Sequence, residues 1–379
     1  MHVEIAPGIL QWACLRAGLD SQIVARKLPQ LSAWERGERK PTLKQLEQFA
    51  KIVHVPIGFL FLSKPPQEQM PIPDFRTLAN EQVSRPSPDL LETIYLCQQR
   101  QEWYRTFSIS IHEDPLPFVG SASLEYDIVG VAQAIRETLN FKIEQRRKLS
   151  TWEDALREFI SQCDAIGILV MVSGVVGSNT HRQLDYNEFR GFALVDEYAP
   201  VIFINGKDTK SAQMFTLAHE LAHVWLGESG VTDAAPVSTP SLNIEKWCNQ
   251  VAAEILVPLK HFKGEFQPGA DKYNELTRLS RIYKVSTLVI LRRIYDARFI
   301  SYEELTSLYD VELNRLVTMQ KGSGGNYYLT QPARVSKRFA RAVITSTLEG
   351  QTLHREAFQL LGIKKVATFR ELGDRLGIA

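Results

Sequence analysis

Cysteine is scarce in this chain. Four residues out of 379, Cys14, Cys97, Cys163 and Cys248, stand without any C-x-x-C spacing, which speaks for reduced thiols and against a disulfide scaffold or a cysteine-held zinc finger. No apolar stretch reaches the roughly eighteen residues of a membrane-spanning helix, and Glu4, Arg16, Asp20, Arg26 and Lys27 break up the N-terminal region. We therefore expect neither a membrane span nor a signal peptide, and a cytoplasmic location. A phosphate-binding loop, a dinucleotide-binding glycine pattern and internal repeats are also missing, which removes nucleotide-driven and solenoid classes. Against these absences stands a hydrophobic content of 44%, enough for proper cores in about two to three domains.

The net charge of +1 conceals a split. Residues 1–65 hold 9 Lys and Arg against 5 Asp and Glu, residues 320–379 hold 10 against 4, and the stretch between carries 25 against 34. Basic ends suit nucleic acid, or the acidic middle of the same chain.

Histidine is also sparse for the chain's length, 8 in all, yet two fall four residues apart in His219-Glu220-Leu221-Ala222-His223. Residues 211–226 lack Gly and Pro, Phe215, His219, His223 and Leu226 lie on one stripe at helical spacing, and Gly227 follows as a stop. On such a helix both imidazoles point the same way and can share one metal ion. A catalytic zinc takes three protein ligands and keeps one position for water. Glu220 is placed to take a proton from that water and pass it to a leaving amine, so it is the expected catalytic base. This is the HExxH spacing of zinc metallopeptidases.

The third ligand should be a carboxylate from a following helix, Glu245 or Glu254. They are about two and a half helical turns apart and face different ways, so one helix does not offer both to the same ion. Glu245 opens the helix-like run after His223 and is the preferred ligand beside His219 and His223. The donor set suits Zn2+, and accepts Mn2+ or iron when zinc is scarce.

The runs Glu188-Phe-Arg-Gly-Phe-Ala, Pro200-Val-Ile-Phe-Ile-Asn205, Phe215-Thr-Leu-Ala-His-Glu-Leu-Ala-His and Glu245-x-x-Cys-Asn-Gln-Val-Ala-Ala-Glu-Ile-Leu-Val-Pro258 together resemble the ImmA/IrrE metallopeptidases. The resemblance covers residues 150–300 and places Glu245 at the ligand position with Asn249 as its companion. Cys248 and Val251 stand where that family has Ala and Phe, and neither is a presumed ligand. Short apolar runs at 170–173, 191–195 and 201–204 read as a small sheet. In zincins the last strand before the active-site helix is an edge that holds substrate by β-addition, so Val201, Phe203 and Asn205 are expected to form a substrate-binding edge strand, with a plain core strand as the alternative. His181 and Tyr186 read as a surface and a packing residue, and no oxyanion-stabilising residue stands out.

Residues 1–65 read as four or five short helices. Ser32-Ala33-Trp34-Glu35-Arg36-Gly37-Glu38-Arg39-Lys40-Pro41-Thr42 resembles the signature of Xre/Cro-type helix-turn-helix domains. Pro29 and the short spacing from Ala25 to Trp34 cut the recognition element down, leaving Gln30 and Ser32 to read bases and Arg36, Arg39 and Lys40 to meet phosphates of double-stranded DNA. A module kept for dimerisation or partner contact is the alternative. Pro65-Pro66 and Pro71-Ile-Pro-Asp-Phe-Arg76 form an extended linker. A polar helix follows, whose Arg100, Gln101, Trp103 and Tyr104 pack against the peptidase domain or stack on nucleobases. Beyond residue 270 two helices carry Arg292 and Arg293, read as surface charges. Gly322-Ser-Gly-Gly325 marks a boundary, past which a short β element from Tyr327 and three helices form a basic tail.

The expected fold is α+β and mostly helical: an N-terminal helix-turn-helix bundle (1–65), a linker and helical region (66–150), a central zincin-like metallopeptidase domain with a small sheet (151–300) and a mainly helical basic extension (301–379). The expected function is a zinc-dependent endopeptidase that cleaves a specific regulatory, repressor-like or partner protein, coupled to transcriptional or stress control. The alternative is a DNA-binding regulator, or the antitoxin-like part of a two-gene module, using the peptidase fold as a scaffold. Expected partners are a protein substrate or regulator encoded by an adjacent gene, double-stranded DNA, and a second copy of the chain.

Overall fold

The computed structural model describes residues 2–76, 86–232, 242–319 and 333–378. The chain divides into two compact units, Met1–Pro71 with Ser84–Glu92, and Ile72–Val83 with Thr93–Ala379. Gly322-Ser-Gly-Gly325 and the β element expected from Tyr327 lie outside the described residues.

In the first unit, α1 (Pro7–Arg16), α2 (Ser21–Lys27), α3 (Leu31–Glu35) and α4 (Leu43–Val53) precede a 3-10 turn at Ile57–Phe61. They close on a core that includes Ile9, Leu10, Leu31, Trp34 and Phe49. α4 begins with a capping box: Thr42 accepts from the Gln45 N–H, and the Gln45 side chain accepts from the Thr42 N–H. α3 has five residues, of which Leu31 and Trp34 are buried.

The second unit is mostly helical with one sheet of four short strands: β1 (Leu169–Ser173), β2 (Gly191–Leu194), β3 (Val201–Asn205) and β4 (Gly230–Thr232), in the order β1-β3-β2-β4. β3 runs parallel to β1 and antiparallel to β2, and β4 is antiparallel to β2. The fold class is therefore α+β.

β3 is a central strand and not a substrate edge. Val201 pairs with Leu169 on one side and Leu194 on the other, and Phe203 lies between Met171 and Phe192. Asn205 holds the strand end through its amide, which donates to the Phe189 carbonyl at 3.1 Å and accepts from the Lys207 N–H at 3.1 Å. All five residues of β3 are buried. A continuous Val-Ile-Phe-Ile run suits a strand covered on both faces, and nothing in such a run states which neighbours flank it.

The sheet packs on α9 (Lys210–Leu226), which starts where Thr209 accepts from the Ala212 N–H at 3.1 Å and stops at Gly227, φ 83°. Thirteen consecutive residues of α9, from Gln213 to Trp225, are buried. A helix buried on every side belongs in the middle of a domain. α10 (Asn243–Leu256) packs beside it. The far end of α10 is held by three arginines: Arg136 donates to the Glu254 carbonyl, Arg146 to the Leu256 carbonyl and Arg293 to the Val257 carbonyl. Cations there satisfy the orphan carbonyls and oppose the helix dipole.

Arg293 is thus not a surface charge. It is 4% exposed and also pairs with the Glu254 carboxylate, a contact between residues far apart in sequence that no local pattern reveals. The polar helix α5 (Pro88–Ser110) uses Gln101 to donate to the Leu194 and Ala199 carbonyls, while Trp103 and Tyr104 lie against Phe339 of α15 (Lys337–Leu348). Two further helices, α16 (His354–Leu361) and α17 (Val366–Arg375), complete the C-terminal region.

Candidate metal centre

Two turns of α9 and the first turn of α10 bring three side chains to one point. His223 Nε2 lies 3.1 Å from His219 Nε2 and 3.0 Å from Glu245 Oε1, and His219 Nε2 lies 3.3 Å from Glu245 Oε2. Zinc bonds of about 2.0–2.2 Å in tetrahedral directions separate ligand atoms by about 3.3–3.6 Å. The three donors, 3.0–3.3 Å apart, lie within a few tenths of an ångström of that spacing. Among the described residues this is the one cluster of three or more His, Cys, Asp or Glu side chains close enough for such a role.

Burial makes the match more telling. Both histidines are 0% exposed and Glu245 is 4% exposed. The Asn249 Oδ1 atom, one turn beyond Glu245 on α10, lies 3.0 Å from His219 Nδ1. That contact directs the ring proton to Nδ1 and leaves Nε2 bare for a cation. Burial alone lowers the pKa of His219, but the Glu245 and Glu220 carboxylates outweigh it and the net shift is upward. His223 is shifted downward, chiefly by burial. Burial opposes ionisation of Glu245, yet the two imidazoles hold its carboxyl well below the usual carboxylate range. An anionic carboxylate beside two imidazoles is the donor set of a two-His, one-carboxylate site.

Glu220 stands apart from the three. Its Oε1 accepts from the Thr232 hydroxyl of β4, and its Oε2 is buried without a hydrogen-bond partner. Burial pushes its carboxyl up to about 8, although His219 and Thr232 favour the ion. A cation held by the neighbouring donors would favour the ionised form. The close approach of sheet and helix depends on Gly191: a Cβ there would lie 2.6 Å from Thr216 Cγ2 and 3.0 Å from Glu220 Oε1.

The other expected site residues lie elsewhere. Glu254, the alternative carboxylate, pairs with Arg293 and accepts from the Leu259 N–H. His181 and Tyr186 are exposed in the loop before β2, and Cys248 is buried. Gln30, Ser32, Arg36, Arg39 and Lys40 are exposed on the first unit, where Arg36 pairs with Glu38 at 2.6 Å and Lys40 with Glu4 at 3.2 Å. Sequence reasoning missed Thr232 as the partner of Glu220. It also missed Phe75, whose ring stacks on His223 at 5.4 Å.

A search among curated proteins gave no match. Residues 335–375 match a family described as a domain of unknown function. Residues 163–295, which carry the sheet, the HExxH helix and the helix of Glu245, match the model of a peptidase family described as the IrrE N-terminal-like domain.

Proposed function

We propose that the chain is a zinc-dependent endopeptidase that cleaves a specific regulatory or partner protein. The observation that carries this reading is the meeting of His219, His223 and Glu245 at 3.0–3.3 Å beside a fourth side chain, Glu220, whose Oε2 has no partner. His219, His223 and Glu245 would hold the zinc, which would lower the pKa of a water to about 7 and polarise a scissile carbonyl. The protein's own part is then legible. Asn249 orients His219, Glu245 supplies compensating negative charge, and Thr232 anchors one oxygen of Glu220 so that the other accepts the proton. The same oxygen returns that proton to the departing amine, which balances the hydrolysis.

The test is cleavage. The zinc-loaded wild type and Glu220→Gln are incubated with the products of neighbouring genes and followed on gels. A partner cut by the wild type and left intact by Glu220→Gln supports the reading, since loss of a general base costs about 10²–10⁴ in rate. Equal cutting by both sinks it. Coupling to transcription is assigned to the first unit, whose Gln30, Ser32, Arg36, Arg39 and Lys40 are all exposed. Phosphate contact requires that DNA retention in a gel-shift assay fall when Arg39 is replaced by Ala and fall further with added salt.

A further inference from the structure

Within the second unit, the stretch after Pro71 lies along β4. The Val231 N–H donates to the Pro73 carbonyl at 3.0 Å, the Phe75 N–H donates to the Val231 carbonyl at 3.1 Å, and Asp74 forms a parallel bridge with Val231. β2 already occupies the other side of β4. The outer edge, where a further strand would add, is therefore taken by the chain itself.

What this segment carries is more specific than a linker requires. The Phe75 ring lies 5.4 Å from the His223 ring and within 10° of parallel. Gly230 makes the room, since a Cβ there would fall 2.1 Å from a Phe75 ring carbon. Arg76 is 3% exposed and donates twice to the Asp74 carboxylate, at 2.8 and 2.7 Å, and once to the Glu188 carbonyl at 2.7 Å. The Glu188 carboxylate lies 3.8 Å from the same guanidinium. Backbone pairing along a sheet edge, with side chains seated in separate places, is how sheets bind extended peptides. Here one of those places is the face of a presumed metal ligand.

We propose that the outer edge of β4, the ring face of His223 and Glu188 form a binding site for an extended peptide bearing an aromatic residue followed by arginine, and that residues 73–76 occupy it as the chain's own pseudosubstrate. This rests on the peptidase reading only for its consequence, that a protein substrate must displace the segment before it is cut.

The test is binding, read without turnover. Zinc-loaded full-length Glu220→Gln, with and without Phe75→Ala and Arg76→Ala, is titrated into a fluorescently labelled peptide Pro-Ile-Pro-Asp-Phe-Arg-Thr, the sequence of residues 71–77. A segment that fills the site in all but a few per cent of molecules weakens an added peptide by the same fraction, so the double substitution should tighten binding about ten- to a hundredfold. A peptide with Ala in place of Phe should show no such gain. Equal binding to both proteins, at equal zinc content and equal melting temperature, overturns the proposal. Should the double substitution unfold the chain, Phe75→Leu alone is titrated, with a gain of about threefold expected and no gain overturning it. Tighter binding by the Glu220→Gln double variant, with partner proteins cut no faster by chains that keep Glu220 than by Glu220→Gln, upholds the pseudosubstrate and sinks the peptidase reading. Partner cleavage unchanged by the double substitution, with no peptide bound, does the reverse.

Discussion

At the scale of single residues, the centre is built from groups that act on one another. The Asn249 Oδ1 atom lies 3.0 Å from His219 Nδ1, the ring nitrogen that carries the proton when Nε2 is a metal ligand. Asn249→Ala should therefore lower zinc affinity about 10–100-fold, measured by competition with a chromophoric chelator, while the fold persists. Thr232→Val keeps the shape of the side chain and removes the hydrogen bond to Glu220. With Glu220 as the proposed general base, it should lower kcat at least about tenfold with KM little changed, because that carboxylate loses its orientation in the step where the proton moves. An equal rise in KM would say that Thr232 serves binding instead. His219 and His223 were legible in the sequence because helical spacing fixes which side chains share a face, Glu220 from its place between them, and Glu245 from its position on the next helix and the family resemblance, with Glu254 left as the alternative. Thr232 and Phe75 were not, since a hydroxyl on a three-residue strand and a ring in a proline-rich stretch carry no periodic signal.

At the scale of elements, the helix that offers Glu245 is held at its far end by arginines. Arg293→Ala leaves the Glu254 carboxylate buried without its ion pair. Removal of one partner of a buried pair costs about 3–5 kcal/mol, to be read from denaturant midpoints. A loss under about 1 kcal/mol would place the pair among surface ion pairs instead. Asp164, at the end of α8 (Trp152–Ala165), behaves oppositely. Burial raises its pKa from 3.8 to about 6, against the Ser336 hydroxyl that donates to it at 2.8 Å. The folded state therefore favours the neutral acid, and this contribution to stability is present below about pH 4 and lost as pH rises to about 6. Asp164→Asn, which can accept the same hydrogen bond, should be more stable than the wild type at pH 8 by about 1–3 kcal/mol, with the gap closing near pH 4. A gap independent of pH would contradict this. The helix stop at Gly227 was visible in advance, whereas the central place of β3 was not, because strand order depends on partners that lie elsewhere in the sequence.

At the scale of the whole molecule, the match over residues 163–295 leaves both ends of the chain to be explained by their own residues. The first unit has its own core, and the second joins the sheet, the metal-centre helices and the C-terminal helices through α5. No helix among the described residues is long and apolar enough to cross a membrane. A metallopeptidase of the proposed kind must bind a single metal ion through His219, His223 and Glu245. The direct measurement is the metal content per chain of the purified full-length protein beside His219→Ala, His223→Ala, Glu245→Ala and Glu254→Gln. The expected result is one zinc in the wild type and in Glu254→Gln, and none in the other three. Zinc kept by Glu245→Ala and lost from Glu254→Gln, or a wild type that takes up none when zinc is supplied, would contradict it.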